Sequence, residues 1–329
     1  MGAGTSLDKW LNRTGVDSAQ LILGTMTFGD QIEEPEAVRA INRAYELGVS
    51  IIDTANSYVG GQSEIIVGRA VDSFRDEIKI ASKVGSRRSM SDPNAQRLDR
   101  VAVIQACDES LARLGIDHID LYYLHMPDDG TPIEETLSAC QELKDAGKIG
   151  DLGMSNYAAW QLADAARLAE ASGWARVAAS QPMYNLLARR TEEEHDACVE
   201  RFDIANFVFN PLAGGLLTGK HQFDTAPAPG TRFSDRANYV ERYWNDHQFA
   251  AVERLKLVAA DAGLTLLELA LRWLVGRPSV DGVILGVSSI EHLESNVAAA
   301  HGPALDSDTL DAVDEVWRDL RGPAPSYNR

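Results

Sequence analysis

Short apolar runs alternate with longer amphipathic segments along this chain, and that alternation constrains the fold more than any other feature. We predict strands at 20–25, 50–54, 78–83, 118–125, 148–155, 177–181, 204–210 and 281–286. The runs are short and often β-branched, as strands buried on both faces of a parallel sheet tend to be. Helical patterns lie between them at 34–48, 100–115, 131–148, 157–173 and 248–263. Eight strands alternating with helices predict a (β/α)8 barrel, and spacing alone leaves a doubly wound sheet as the alternative.

Other segments add detail to this α/β architecture. Residues 220–247 form a long polar stretch with proline and glycine, and loops of this length are usually functional or mobile. Further helices are expected at 265–276 and 305–320. No linker or repeat divides the chain. We therefore expect one TIM-barrel domain over 1–329, with long loops at the C-terminal face, extra C-terminal helices and an N-terminal extension at 1–18.

Two local patterns predict where helices begin. In GGQSE, Ser63 is the expected N-cap of the helix that follows. In TPIEE, Thr131 is the expected N-cap, with Pro132 at the first helical position and Glu134 completing a capping box.

Composition excludes several classes of partner. The net charge of −18 argues against binding a nucleic-acid backbone, and no apolar run reaches the ~18 residues of a membrane helix. The N-terminal stretch lacks the apolar core of a secretory signal. The three cysteines form no metal-binding cluster and fit free thiols in a reducing compartment. We expect a cytoplasmic protein without a metal, a nucleic-acid partner or a membrane partner.

Four polar residues lie at or just after neighbouring predicted strands, where barrel enzymes carry their active sites. Asp53 ends the second run and Tyr58 follows in the next loop, Lys83 ends the third run, and His125 ends the fourth. Taken singly, such residues are usually a helix cap, a packed loop tyrosine, a solvated charge and a core histidine. Together at adjacent strand ends, they favour a catalytic cluster.

The cluster suits reduction of a carbonyl group. A tyrosine hydroxyl is a weak acid near neutral pH, and a nearby ammonium favours its ionised form. Asp53 is expected to pair with Lys83, while His125 hydrogen-bonds the carbonyl oxygen and assists proton transfer from Tyr58. None of these side chains carries a hydride, so a cofactor must supply it. No GxGxxG or GxxxxGK[ST] occurs, and GMSNY is not GxSxG, so a nicotinamide cofactor would bind without a Rossmann turn.

Several motifs closely resemble those of the aldo-keto reductase superfamily: DTANSYVGGQSE, IASKVG, DLYYLHMPD, GMSNYAAW, QPMYN and NPLAGGLLTGK. The resemblance covers residues 20–329. ERYWNDHQF, VILGVSSIEHLESN and the C-terminal PSYNR are most similar to the aflatoxin aldehyde reductases, a group that also reduces succinic semialdehyde. The resemblance implies a (β/α)8 barrel with NADP(H) extended across its C-terminal face. It also implies a catalytic tetrad of Asp53, Tyr58, Lys83 and His125, with Tyr58 as general acid.

The resemblance also implies a cofactor site. Ser155, Asn156 and Gln181 match positions that hold the nicotinamide carboxamide. Phe209 matches the aromatic residue that stacks on the nicotinamide ring, and 210–220 matches the segment over the pyrophosphate. The segment 286–296 matches the adenosine-phosphate end. The implied cofactor contacts are Gly24, Thr25, Met26, Asp53, Ser155, Asn156, Gln181, Phe209, Asn210, Pro211, Leu212, Gly214, Gly215, Leu217, Gly219, Lys220, Arg232, Gly286, Ser288, Ser289, His292, Ser295 and Asn296.

The adenosine-phosphate segment departs from the family pattern. Related sequences usually have Gln where this chain has His292, and often where it has Ser295. Many reductases place an Arg or Lys here, whereas none lies between Gly286 and Asn296 in this chain. We expect NADPH to be preferred over NADH, with NAD(H) as the alternative cofactor.

The substrate side is expected to include Tyr58, His125, Arg232, Trp244 and Arg329. Arg232 matches a subgroup arginine near the active-site mouth, and Arg329 matches a C-terminal arginine that meets substrate carboxylates. A guanidinium can bind a carboxylate with two parallel hydrogen bonds. We expect a small carbonyl substrate, such as a carboxylate-bearing aldehyde, and a monomer or homodimer. The alternatives are a sugar-nucleotide keto-reductase and a cofactor-sensing regulatory subunit, because some proteins of this fold are partners of ion channels.

Overall fold

The computed structural model describes residues 19–86 and 97–325. Eight parallel strands form a closed barrel in sequence order, β1 to β8. Their bounds are β1 (Gln20–Gly24), β2 (Ile51–Asp53), β3 (Lys79–Val84), β4 (Ile119–Leu124), β5 (Ile149–Ser155), β6 (Val177–Gln181), β7 (Ala205–Val208) and β8 (Gly282–Gly286). The predicted (β/α)8 barrel is confirmed, and closure through β1 and β8 rules out the doubly wound sheet.

Helices surround this barrel. The described α-helices are α1 (Glu34–Glu46), α2 (Gln62–Val71), α3 (Arg100–Leu114), α4 (Ile133–Asp145), α5 (Ala159–Ser172), α6 (His195–Phe202), α7 (Arg232–Asp235), α8 (Ala237–Tyr243), α9 (Asp246–Asp261), α10 (Leu266–Val275), α11 (Ile290–Ala300) and α12 (Ser307–Arg321). No helix within the described ranges is long and apolar enough to cross a membrane. The expected long loop after β7 is interrupted by α7 and α8, whose short length hides them from a search for helical periodicity.

Apolar side chains fill the inside of the barrel. Tyr123 and Phe207 are the largest of them, and both are fully buried. Gly153 on β5 makes room for the Tyr123 ring, because a Cβ at this position would overlap it. The full interior set is Ile22, Ile51, Ala81, Leu121, Tyr123, Ala179, Ala205, Phe207 and Ile284. This packed layer supports the polar residues at the strand ends above it.

Both predicted helix starts are wrong in detail. The N-cap of α2 is Gly61, at φ 91°, and Ser63 lies inside the helix, where its hydroxyl donates to the Thr25 carbonyl at 2.9 Å. The N-cap of α4 is Pro132, without a side-chain capping bond, because the Thr131 hydroxyl donates to Asp128 at 2.7 Å instead. In both places a tertiary partner takes the hydroxyl that local sequence assigned to capping.

Candidate active site

A cavity of about 520 Å³ opens at the C-terminal ends of the strands. Its volume is in the range of small-molecule and cofactor sites. Every strand end or following loop contributes to its wall. Representative residues in strand order are Gly24, Asp53, Ser86, His125, Ser155, Gln181, Phe209 and Gly286.

Lys83 is fully buried beneath this cavity, and its ammonium joins two of the predicted catalytic residues. The Nζ donates hydrogen bonds to Asp53 Oδ1, to the Thr54 carbonyl at 2.8 Å and to the Tyr58 hydroxyl at 3.1 Å. All three ammonium donors therefore have partners. Burial acts to lower the pKa of Lys83, but the Asp53 carboxylate and the Tyr58 oxygen outweigh it, so the pKa is raised. The lysine is held as a cation beside the tyrosine hydroxyl.

The turn that carries Tyr58 has an unusual backbone. Val59, Gly60 and Gly61 have φ values of 50°, 62° and 91° in the short 3-10 turn Tyr58–Gly61. A β-branched residue in the left-handed region is a genuine outlier and persists only where surrounding contacts hold it. This turn brings Tyr58 to the cavity wall with 8% of its surface exposed.

His125 lies beside Tyr58 at the end of β4. The two rings meet edge to face, with centroids 5.9 Å apart. The His125 carbonyl accepts a hydrogen bond from Asn156 Nδ2 at 2.9 Å, and Asn156 has a φ of 64°. Asparagine tolerates this left-handed conformation better than most residues do. The loop after β5 thus holds the backbone of the histidine that follows β4.

Gln181 connects the predicted catalytic and carboxamide-binding groups. Its side-chain Nε2 donates to Asp53 Oδ2 at 2.8 Å, and its backbone carbonyl accepts a hydrogen bond from the Ser155 hydroxyl at 3.0 Å. Asp53 therefore receives hydrogen bonds from Lys83 on one oxygen and from Gln181 on the other. Both ions of the buried pair therefore have hydrogen-bond partners, without which burying a charge is costly.

Another part of the cavity wall combines half-buried glycine backbone with positive charge. Gly214 and Gly215 have φ values of 72° and 108°, and the Gly214 amide donates to Asn210 Oδ1 at 2.7 Å. Lys220, Arg232 and Arg242 line the same cavity, and none forms an ion pair with a carboxylate among the described residues. Asp53 is the sole carboxylate in the described lining. In a chain of net charge −18, this pocket is locally positive and suited to an anion.

Comparison with known proteins decides the family. The family model described as "Aldo/keto reductase family" matches residues 20–318. This chain is an aldo/keto reductase. It is 35% identical to the human protein "Aflatoxin B1 aldehyde reductase member 2" over 94% of this chain and 89% of that one. It is 37% identical to human "Aldo-keto reductase family 7 member A3", over 94% and 96% of the two chains. An Arabidopsis thaliana protein named "Probable voltage-gated potassium channel subunit beta" is 31% identical over 94% and 95%.

Membership fixes the enzyme class. Aldo/keto reductases are oxidoreductases that generally use NAD(P)H, and the relatives above include aldehyde reductases by name. In the barrel of this aldo/keto reductase, three predicted tetrad residues line the cavity, and the fourth, Lys83, is buried beside two of them. Their individual roles stay predictions.

Most of the predicted cofactor residues line the cavity, but a few lie elsewhere. Leu217 is fully buried, and Ser289 is the N-cap of α11, accepting from the His292 amide at 3.2 Å. Gly219 follows the turn Ala213–Thr218 without lining the cavity. The predicted residues in the described lining are Gly24, Thr25, Met26, Asp53, Ser155, Asn156, Gln181, Phe209, Asn210, Pro211, Leu212, Gly214, Gly215, Lys220, Arg232, Gly286, Ser288, His292, Ser295 and Asn296.

The predicted substrate residues divide in the same way. Tyr58, His125 and Arg232 line the cavity. The Trp244 ring instead packs against Phe233, with centroids 5.0 Å apart, behind the described cavity wall. Arg329 lies outside the described residues.

Arg232 contacts the end of β8. A Cβ on Gly286 would lie 2.5 Å from the Arg232 Nη2, so the guanidinium packs against the bare backbone of this glycine. Its cation also faces the ring of Tyr239, at 5.6 Å from the centroid. The long loop after β7 therefore supplies the cation that the segment 286–296 lacks in sequence.

Among the cavity residues that the sequence analysis missed, two are basic, Arg242 and His221. Arg242 stands between the rings of Tyr239 and Tyr243, at 5.8 Å and 6.0 Å. His221 is 6% exposed, and burial and the neighbouring Lys220 charge lower its pKa. Each adjoins a quoted motif, since His221 follows NPLAGGLLTGK and Arg242 lies within ERYWNDHQF. That adjacency was the available signal.

Proposed function

We propose that this protein reduces aldehydes or ketones to alcohols with NADPH, with Tyr58 as the proton donor. The observation that carries the proposal is the Tyr58 hydroxyl, 3.1 Å from the buried Lys83 ammonium at the wall of a cofactor-sized cavity. A nicotinamide cofactor held in this cavity would supply the hydride. The remaining steps belong to side chains of this chain.

The cavity residues fit a dinucleotide that carries phosphate groups. Three cations without carboxylate partners in the described residues face the cavity, and Gly214 and Gly215 present backbone rather than side chains of their own to it. At Gly24 a Cβ would lie 2.8 Å from the Ile284 side chain, so the cavity wall leaves no room for a larger residue at this position. Ser155, Asn156 and Gln181 offer amide and hydroxyl groups to a carboxamide.

Proton transfer follows from the arrangement around Tyr58. The substrate oxygen gains negative charge as the hydride arrives, and the Tyr58 hydroxyl donates its proton to that oxygen. The Lys83 cation stabilises the tyrosinate left behind, and Asp53 keeps that cation in place. His125, edge to face with Tyr58, orients the same oxygen by hydrogen bonding.

NADPH rather than NADH is the proposed donor. Arg232 supports this choice, because its guanidinium lies against Gly286 at the start of the segment assigned to the adenosine phosphate. A guanidinium binds a phosphate through two parallel hydrogen bonds. Ser288 and His292, whose side chains are hydrogen-bonded to each other at 2.7 Å, lie in the same segment and add polar groups to it. The Km values for NADPH and NADH test the choice, and a lower Km for NADH would contradict it.

The proposed substrates are small or carboxylate-bearing aldehydes. Arg232 and Arg329 were the expected carboxylate partners, and Arg242 adds a cation in the cavity wall. Single Ala variants of the three arginines separate their roles through the Km for succinic semialdehyde. If all three leave that Km unchanged, selection of carboxylates by these residues is wrong.

The three free cysteines favour a reducing compartment. We therefore propose a cytoplasmic enzyme. Separately, we propose that it works as a monomer or homodimer.

A regulatory subunit is the second candidate, favoured by a specific observation. Proteins named "Probable voltage-gated potassium channel subunit beta" from rice and Arabidopsis thaliana are 30% and 31% identical to this chain. A sugar-nucleotide keto-reductase is the third candidate, supported by the cations of the cavity wall, although a substrate that carries phosphates would call for more of them.

One assay separates the three. The protein is mixed with NADPH and, in turn, 2-nitrobenzaldehyde, succinic semialdehyde and a sugar-nucleotide ketone, and the loss of nicotinamide absorbance is followed. Turnover of the two aldehydes supports the proposal, whereas turnover of the sugar nucleotide alone supports the keto-reductase. Quenching of NADPH fluorescence on binding, without turnover of any substrate, favours the regulatory subunit.

A further inference from the structure

A fully buried carboxylate lies on the outer side of the barrel, close to the Tyr58–Lys83 pair. The Glu64 side chain, in the first turn of α2, has no exposed surface. Its Oε2 accepts from Arg113 Nε at 2.7 Å, and its Oε1 accepts from the Ser82 hydroxyl at 2.5 Å. A buried carboxylate is costly unless it is paired. None of the steps proposed above uses this one.

One arm of this network reaches the turn that carries Tyr58. The Arg113 side chain crosses Gly61, the last residue of that turn, and a Cβ on Gly61 would lie 2.7 Å from Arg113 Cδ and 2.8 Å from its Nε. Gly61 has a φ of 91° and follows two further left-handed residues. Such a backbone needs support from its surroundings. Arg113, oriented by Glu64, supplies support at the C-terminal end of the turn.

The other arm reaches the strand that carries Lys83. Ser82 immediately precedes Lys83 in β3, and alternate residues of a strand point to opposite faces. Lys83 points into the barrel, toward Asp53 and Tyr58, so Ser82 points outward, toward α2. Its hydrogen bond to Glu64 therefore fixes the section of strand from which the ammonium projects.

We infer that Glu64, acting through Arg113 and Ser82, is a positioning residue that sets the contact between the Tyr58 hydroxyl and the Lys83 ammonium. The inference rests on the proposed role of Tyr58 as proton donor. One carboxylate ties together the two chain segments that supply the two ends of the 3.1 Å contact. Glu64 does not line the cavity, so it acts through geometry alone.

The helix end offers a simpler reason for an acid at this position. Glu64 lies in the first turn of α2, where the helix dipole favours a carboxylate. That preference is satisfied equally by an exposed side chain. It does not account for complete burial, nor for hydrogen bonds to an arginine from α3 and a serine from β3.

The test uses Glu64→Gln, which keeps the size of the side chain and removes its charge. We expect kcat for 2-nitrobenzaldehyde to fall about tenfold, because small displacements of reacting groups have large effects on rate. The Kd for NADPH, from fluorescence quenching, and the Km for the aldehyde should stay within twofold of wild type. Thermal unfolding of each variant gives the folded fraction, so that kcat is expressed per folded molecule. A purely structural role would lower the unfolding temperature and leave that kcat unchanged.

Glu109→Gln is the matched control. Glu109 is a second carboxylate near Arg113, at 3.8 Å, but its side chain is 53% exposed and it has no bond to Ser82 in the described network. Its kcat should equal that of wild type. Ser82→Ala removes the hydrogen bond between Ser82 and Glu64, and we expect it to lower kcat at least threefold. This variant tests the inference if Glu64→Gln does not fold. A folded Glu64→Gln, or failing that Ser82→Ala, with kcat within twofold of wild type overturns the inference.

Tyr58→Phe is measured in parallel so that the two ideas fail separately. An inactive Tyr58→Phe with a fully active Glu64→Gln contradicts only the positioning role. A fully active Tyr58→Phe contradicts the proposed proton donor and this inference with it.

Discussion

The buried ammonium of Lys83 lies 3.1 Å from the hydroxyl of Tyr58, and its charge is balanced by the Asp53 carboxylate. We predict that Lys83→Met lowers both activity and stability. Removing one partner of a buried ion pair leaves the other charge uncompensated, at a cost of about 3–5 kcal/mol in the free energy of unfolding. Urea unfolding measures this loss. The double variant Asp53→Asn/Lys83→Met should be more stable than Lys83→Met alone, and a less stable double variant would contradict the pairing.

Arg232 should contribute to NADPH affinity through phosphate rather than through the nicotinamide. Arg232→Ala is expected to raise the Km for NADPH by about tenfold, or about 1.4 kcal/mol, because its charge-assisted hydrogen bonds to the phosphate are lost. The Km for NADH should change less than twofold. Arg236→Ala is the control, because Arg236 lies in the same region but pairs with Asp30 at 3.0 Å. Equal effects of Arg232→Ala on both cofactors would show that the 2′-phosphate is not its partner.

Gly153 should be intolerant of a side chain. A Cβ there overlaps the buried Tyr123 ring, and such overpacking usually costs about 1–3 kcal/mol in the free energy of unfolding. Gly153→Ala is therefore expected to unfold at a lower urea concentration. Gly130→Ala is the control, since the nearest atom to its Cβ would be Asp128 Oδ1, at 3.3 Å, in an exposed loop. Equal stability of the two variants would contradict this account of the barrel interior.

His221 should make the cofactor-free protein sensitive to mild acid. Burial and the Lys220 charge lower its pKa in the folded state, so the unfolded chain binds a proton more readily. The stability tied to neutral His221 is present above the ordinary histidine pKa of about 6.5 and is lost as pH falls below it. The test lowers the pH from about 7.5 to about 5.5, a range that includes the ordinary histidine pKa. Over this range the unfolding temperature of wild type should fall more than that of His221→Gln. Parallel curves for the two proteins would contradict the prediction.

The strand pattern in the sequence was enough to predict the barrel, and the residues at the strand ends were enough to predict which side chains meet at the centre of the candidate site. Buried parallel strands leave a strong apolar signal, and a closed barrel then forces their C-terminal ends together, which is why Asp53, Lys83 and His125 were located from sequence. Helix starts were less predictable, because Ser63 and Thr131 found tertiary partners instead of capping.

The remaining features depend on contacts between segments far apart in sequence. Arg232 reaches Gly286 from the loop after β7, and Gln181 reaches Asp53 across 128 positions. Glu64 meets Arg113 across 49 positions. Local propensity and periodicity describe only residues that are close in sequence, so they do not predict such pairs. The motifs identified some of these residues but not the residues that they contact.

The central claim is that Tyr58 donates the proton, and Tyr58→Phe tests it most directly. The phenyl ring keeps the packing and removes only the hydroxyl, so cofactor binding should be unaffected. We predict that kcat for aldehyde reduction falls by about 10²–10⁴, the usual contribution of a general acid, while the Kd for NADPH stays within twofold of wild type. A Tyr58→Phe enzyme with wild-type kcat would contradict the account.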